Sequence, residues 1–104
     1  MPSIKISAVE MVQAIKKGEV SSEELVKSYI EQIKKKEKDV AAFQFFDEDL
    51  ALAQAKKLDT LHQAGQHGDL HGIPVGVKDI FDTVDMPTED GTEIHKNNPS
   101  LNDC

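Results

Sequence analysis

Residues 70–80 have the sequence LHGIPVGVKDI, and this stretch decides which fold the chain can adopt. Its first half alternates apolar residues with others, which is typical of a β-strand. Pro74 lacks a backbone donor, so the strand is expected to begin near this residue or to lie at a sheet edge. Gly72 and Gly76 leave room for another chain segment to approach closely. We therefore predict a strand that carries one lysine, Lys78.

Lys78 is the candidate functional residue of this stretch, because it directly follows Val77 and lies close in sequence to Val75 and Ile80. Poor solvation disfavours the charged form of a lysine, and a neutral amine acts as a base or a nucleophile. The alternative is a lysine in solvent, since side chains alternate along a strand and Lys78 would then face away from both valines. Spacing alone favours the solvent-exposed alternative.

Two amphipathic helices are predicted upstream of this strand. Each begins with a capping box, in which a serine is followed three residues later by a glutamate. The pairs are Ser7 with Glu10, and Ser21 with Glu24. The first helix is expected over residues 8–17, ahead of a glycine, and the second from its serine cap to Lys38.

The rest of the chain completes an α/β pattern. The aromatic stretch at residues 42–46 predicts a short strand, and the acidic residues at 47–49 begin a third helix that ends near Gly65. After Phe81, turn-forming residues dominate and no helical or strand period persists, so an irregular loop is expected. Residues 1–65 are thus predicted to be mainly helical, and residues 66–104 to hold the lysine strand and this loop.

Composition excludes several classes of protein. A chain of 104 residues forms at most one small domain, and its single cysteine excludes both an internal disulfide and a Cys/His zinc finger. The formal net charge of -7 and the absence of arginine argue against nucleic acid as a partner. No apolar run is long enough for a signal peptide or a membrane span, so we expect no membrane association and a cytoplasmic location.

Other clusters of potential metal ligands are weaker candidates. His62, His67, Asp69 and His71 are acceptable zinc ligands, but histidines four residues apart align only on a helix, which the neighbouring glycines disfavour. The acidic residues that follow Lys78 lack the spacing of a calcium loop, so a solvated acidic loop is expected there. We therefore predict no metal site and no cofactor.

Residues 70–80 resemble the amidase signature family, whose members carry a Gly-Ile-Pro-x-x-Val-Lys-Asp strand. Residues 82–88 resemble the segment that follows this strand in the family, and Gly91-Thr92 stands where Gly-Ser is commoner. The upstream helices are similar to those with which the family's domain usually begins. The segment at 86–92 looks slightly closer to general small-molecule amidases than to the tRNA-dependent amidotransferase subunit.

The resemblance implies the N-terminal part, residues 1–104, of a single amidase-signature domain, which is a mixed sheet with helices on both faces. This chain would supply about three helices and one or two strands. The resemblance also implies hydrolysis of an amide C–N bond by a serine, cis-serine, lysine triad in which Lys78 is the base. Both serines lie beyond the part of the family that this chain matches. The isolated chain is therefore expected to be inactive and to need the missing C-terminal part of the domain as its partner.

Two alternatives stay open. The chain could be a non-catalytic helical interaction module or a complementing subunit that uses the amphipathic stripes of its first two helices. It could also be an independent lysine enzyme that forms a Schiff base, although so few elements would struggle to enclose a pocket. An amidase fragment predicts exposed apolar strand surface and aggregation or disorder after Phe81, whereas a self-sufficient module predicts a stable, monodisperse protein.

Overall fold

A computed structural model describes residues 6–100 and 103. Three α-helices follow one another along the chain: α1 (Ala8–Lys16), α2 (Ser22–Val40) and α3 (Glu48–Gln63). A single turn of 3-10 helix, Glu93–His95, lies near the end. The chain divides into two compact units. The helical unit comprises Met1–Ala42 and Asp47–Pro74, and the loop unit comprises Phe43–Phe46 and Val75–Cys104.

Both predicted capping boxes are confirmed. The Ser7 hydroxyl accepts a hydrogen bond from the Glu10 N–H, while the Glu10 carboxylate accepts one from the Ser7 N–H at 2.7 Å. Ser21 and Glu24 form the same reciprocal pair at the start of α2. The bond from the Ser7 backbone N–H, followed by the contact with its hydroxyl, lowers the pKa of Glu10. This contribution to stability is therefore present above the ordinary glutamate range and is lost as pH falls through the lowered pKa.

Two apolar clusters hold the helices together. The first joins α1, α2 and the turn between them, with Ile15 only 1% exposed and Leu25 fully buried. Its buried members are Met11, Ile15, Val20 and Leu25. The second lies between α2 and α3, where Val26 and Ile30 pack against Ala55. Most of the apolar stripe that the sequence places on each of the first two helices is therefore buried within the helical unit, although Val9 is 69% exposed.

The start of α2 is tied to two distant segments of the helical unit. The carboxylate of Asp59, on α3, accepts hydrogen bonds from the backbone N–H groups of Ser22 at 2.7 Å and Glu23 at 3.0 Å. The Ser22 hydroxyl, which is buried, donates to the carbonyl oxygen of Gly72 at 2.9 Å. A negative charge at a helix N-terminus also complements the helix dipole. These bonds fix α3 and the segment around Gly72 against α2.

The predicted strands are not confirmed. Residues 73–78 have no regular secondary structure, and the aromatic stretch at 42–46 contains only a bend at residues 44–45. Across residues 6–100, β-pairing is limited to an isolated antiparallel bridge between Thr83 and Met86. A strand requires a neighbour that accepts and donates its ladder hydrogen bonds, and no described segment supplies one. The mixed sheet that the resemblance implies is likewise not seen in this part of the chain.

No helix in the described part of the chain is both long enough and apolar enough to span a membrane.

We expect Gly72→Ala to destabilise the helical unit more than any other glycine-to-alanine change in it. A Cβ at this position would lie 2.9 Å from Ile15 Cδ1 and 3.2 Å from the Ser22 side chain, and the residue has a φ of +80°. Gly65→Ala is the control, because Gly65 has a φ of +76° but no atom lies within 4 Å of an added Cβ. It therefore measures the cost of backbone strain without a steric clash. Gly65→Ala should cost about 1–2 kcal/mol in urea unfolding, and Gly72→Ala about 1–3 kcal/mol more. Equal costs would contradict the proposed close contact.

Asp59→Asn should lower the free energy of unfolding by about 1–2 kcal/mol, because one acceptor and the charge are both lost at the α2 N-terminus. Asp39→Asn is the matched control, since Asp39 is exposed near the other end of α2. That control should change stability by less than about 0.5 kcal/mol. Chemical denaturation followed by circular dichroism measures both. A neutral result for Asp59→Asn would show that this tie is dispensable.

Candidate functional site

Lys78 lies in the loop unit and its side chain is exposed. Its carbonyl oxygen accepts a hydrogen bond from the Phe81 N–H at 3.1 Å, which closes a turn directly after the lysine. Within the described residues the structure therefore agrees with the solvent-exposed alternative. The poor solvation that would favour a neutral amine is not provided by this part of the chain.

Asp79 anchors the backbone immediately after Lys78. Its carboxylate accepts hydrogen bonds from the N–H groups of Glu89 at 2.9 Å and Gly91 at 3.4 Å. Its carbonyl oxygen accepts a third bond, from the Asp90 N–H at 2.9 Å. Residues 89–91 thus wrap around the residue that follows the lysine. This arrangement fixes the position of the lysine backbone without any β-ladder.

Glu89 is the buried acid of the loop unit, with only 7% of its surface exposed. One carboxylate oxygen accepts a hydrogen bond from the Gln44 side-chain amide at 3.0 Å, and the other accepts one from the Asn97 N–H at 2.9 Å. These bonds compensate for the loss of hydration. Glu89 therefore links the aromatic stretch at 43–46 to the end of the chain within the loop unit.

Large apolar side chains remain exposed around the lysine in sequence. Val75 is 74% exposed, and Val77, Ile80 and Phe81 are each about half exposed. The aromatic stretch is similar, since Phe43, Phe45 and Phe46 are also exposed. The exposed apolar side chains that the amidase-fragment hypothesis predicts are thus present in the lysine segment.

The three histidines near the end of α3 lie close together, which their spacing in the sequence did not predict. The ring centre of His62 lies 5.4 Å from that of His67 and 6.1 Å from that of His71, and the last two are 5.9 Å apart. They meet because α3 ends at Gln63 and the following loop returns to the helix, where His71 Nε2 bonds the Leu58 carbonyl oxygen. No helix is needed to align them.

The acidic residues after Lys78 are not all solvated, as Asp79 and Glu89 show. The carboxylate of Asp79 is used by backbone N–H groups, as described above. Among residues 6–100 and 103, no set of three His, Cys, Asp or Glu side chains has a geometry that would hold a metal ion as it stands.

Comparison with known proteins gives the family. The family model described as Amidase matches residues 24–104. This chain belongs to the amidase family. The matched region contains Lys78 and the whole of the hydrogen-bonded network around Asp79 and Glu89.

Curated relatives of two kinds resemble the chain. It is 39% identical over 92 residues to a glutamyl-tRNA(Gln) amidotransferase subunit of Thermobifida fusca (strain YX), a match that covers 88% of this chain and 18% of the relative. It is 32% identical over 92 residues to an amidase of Pseudomonas putida, covering 88% of this chain and 20% of the relative. The chain thus spans about a fifth of the length of these relatives. The identities give no support to the expected preference for small-molecule amidases.

Two solved structures share the fold. Both are described as an unexpected vestigial protein complex that reveals the evolutionary origins of an s-triazine catabolic enzyme, one of them with an inhibitor bound. They superpose with TM-scores of 0.86 and 0.87 at 25% identity, covering 94% of this chain and 22% of theirs. The fold of this chain is therefore one that these two structures also contain.

Sequence reasoning missed the network that surrounds Asp79 and Glu89, because the acidic residues after Lys78 were considered only as a solvated loop or a cation site. One signal was available. Turn-forming residues flank Glu89, and buried acids are found where turns present free N–H groups to a carboxylate. The spacing alone, however, does not say which of the neighbouring acids is buried.

Glu89→Ala should open the loop unit locally. Asn97 would lose the acceptor of its N–H, so we expect hydrogen exchange at that amide to accelerate about tenfold or more. Glu93→Ala is the control, because Glu93 is 90% exposed in the same unit and its ion pair with Lys96 spans 4.0 Å. Amide exchange followed by NMR measures both variants. Similar exchange in the two variants would argue that Glu89 does not hold this unit together.

Proposed function

We propose that the chain is the N-terminal part of a single amidase-signature domain, and that in the complete domain it contributes the base for hydrolysis of a carboxylic amide. The observation that carries the proposal is the position of Lys78 inside the matched region, next to an anchored Asp79. The exposed apolar side chains of the lysine segment support it. They are what a strand leaves uncovered when its neighbours are absent.

The proposed reaction is acyl transfer from nitrogen to oxygen and then to water. Lys78, as a neutral amine, takes a proton from the bridging serine, which takes one from the nucleophilic serine as that oxygen attacks the amide carbonyl. Backbone N–H groups stabilise the oxyanion. The proton returns to the leaving amine as the C–N bond breaks, and water then releases the carboxylic acid. The complete domain must also desolvate Lys78, since this chain leaves it exposed.

The two serines belong to parts of the family beyond the match, so the isolated chain is proposed to be inactive. Its partner is then the remainder of the domain, and its substrate in that context is a small amide. A cytoplasmic location agrees with the composition. The names of the relatives, one an amidase and the other part of an amidotransferase, are both consistent with chemistry on amides.

A helical interaction module is the less supported alternative. Such a module would present the apolar stripes of α1 and α2 to a partner, yet Ile15 and Leu25 are already buried in the chain's own core. An independent Schiff-base enzyme is also less supported, since Lys78 is exposed. Neither alternative accounts for the exposed apolar side chains of the lysine segment.

A chimera tests the catalytic role. Residues 24–104 would replace the corresponding segment of the Pseudomonas putida amidase, and amide hydrolysis would be measured for the chimera and two variants. We expect activity in the chimera, a loss of at least about a thousandfold in Lys78→Ala, and little change in Lys96→Ala, the other lysine of the loop unit. The isolated chain should show no hydrolysis.

Two results would count against the proposal. One is a chimera that folds, as judged by circular dichroism and its elution volume, but has no activity. The other is a Lys78→Ala chimera that is as active as its parent.

A further inference from the structure

We propose that His62, His67 and His71 form a binding site for a divalent transition-metal ion of the zinc and nickel class. The site lies within the helical unit, at the end of α3 and in the loop that follows it. It is independent of Lys78 and of the amide chemistry proposed above.

The separations of the three rings are close to those of a metal site. With a metal–nitrogen distance of about 2 Å and tetrahedral angles, the ring centres of two coordinating histidines lie about 5 Å apart. The observed separations are 5.4, 5.9 and 6.1 Å. The ligand atoms do not yet converge on one point, as the absence of a preformed site among the described residues shows. Coordination therefore requires the rings to reorient, and His67 is exposed and free of the packing that would prevent this.

The hydrogen bonding of two of the rings favours coordination. His71 donates its Nε2–H to the Leu58 carbonyl oxygen at 2.8 Å, so its Nδ1 carries the free lone pair. This is the arrangement usual for metal-binding histidines, whose second ring nitrogen donates to a carbonyl or carboxylate. Nδ1 of His62 is buried and has no hydrogen-bond partner among the described residues. A metal ion would satisfy a buried nitrogen that the protein itself leaves unpaired.

The nature of the ligands indicates the class of metal. Three neutral imidazoles suit zinc, nickel and copper, and not calcium or magnesium, which prefer oxygen ligands. Water completes the coordination sphere.

Titration of the untagged, full chain with Zn²⁺ and with Ni²⁺ tests the site. Calorimetry at pH 7.5 should show one equivalent bound, and saturation should raise the thermal midpoint of the helical unit. His67→Asn should lower the affinity at least tenfold, since His67 is exposed and its replacement leaves the core intact. His95→Asn is the matched control, because this fourth histidine lies in the loop unit and should leave the affinity unchanged.

A second measurement detects metal binding at the histidine side chains directly and does not depend on the stability of the protein. In histidine-selective NMR, the side-chain signals of residues 62, 67 and 71 should shift together on addition of Zn²⁺, while those of His95 should not move. The proposal is overturned if no binding is detected up to 100-fold molar excess of either metal. It is also overturned if His95→Asn lowers affinity as much as His67→Asn does, because binding would then be adsorption to scattered surface histidines.

Discussion

The first three backbone N–H groups of α2 determine the architecture of the helical unit. The N–H of Glu24 bonds to the Ser21 hydroxyl, and those of Ser22 and Glu23 bond to the carboxylate of Asp59, which lies 37 and 36 residues away in sequence. A helix start that is left unsatisfied in a partly buried position is costly, so α3 must place this carboxylate there. The buried hydroxyl of Ser22 then fixes the carbonyl of Gly72, where a larger residue would collide with Ile15.

The loop unit uses the same chemistry, in which a carboxylate accepts backbone N–H groups, but it does so outside any helix. Here carboxylates at two positions organise irregular backbone, as that of Asp79 accepts the N–H groups of Glu89 and Gly91, and that of Glu89 accepts the N–H of Asn97. A segment with no helix or ladder must satisfy its backbone groups in some other way, and acidic side chains provide the acceptors. Two of the acids that follow Lys78 are accounted for in this way. The same bonds explain how the lysine backbone is held while the apolar side chains around it stay exposed.

Features that depend on neighbouring residues were predicted better than features that depend on residues distant in sequence. The two capping boxes, the end of α1 before Gly18 and the start of α3 after Asp47 were predicted correctly, because each depends on contacts within a few residues. The strand at 73–80 was predicted from alternation and is not confirmed, because a strand is stabilised by a neighbour that the described residues do not supply. The histidines were judged from helical spacing, yet a returning loop brings them together.

The sequence by itself determined three helices and the capping boxes of the first two, and the motif around Lys78 indicated the amidase family that residues 24–104 confirm. These features depend on residue type and short spacing, which the sequence states directly. Only the tertiary structure decided that Asp59 caps a helix, that Glu89 is the buried acid and that three imidazoles lie within 6.1 Å of one another. Each of these depends on contacts between segments that are distant in sequence. Such contacts are stabilised by many weak interactions together, which no short stretch of sequence specifies.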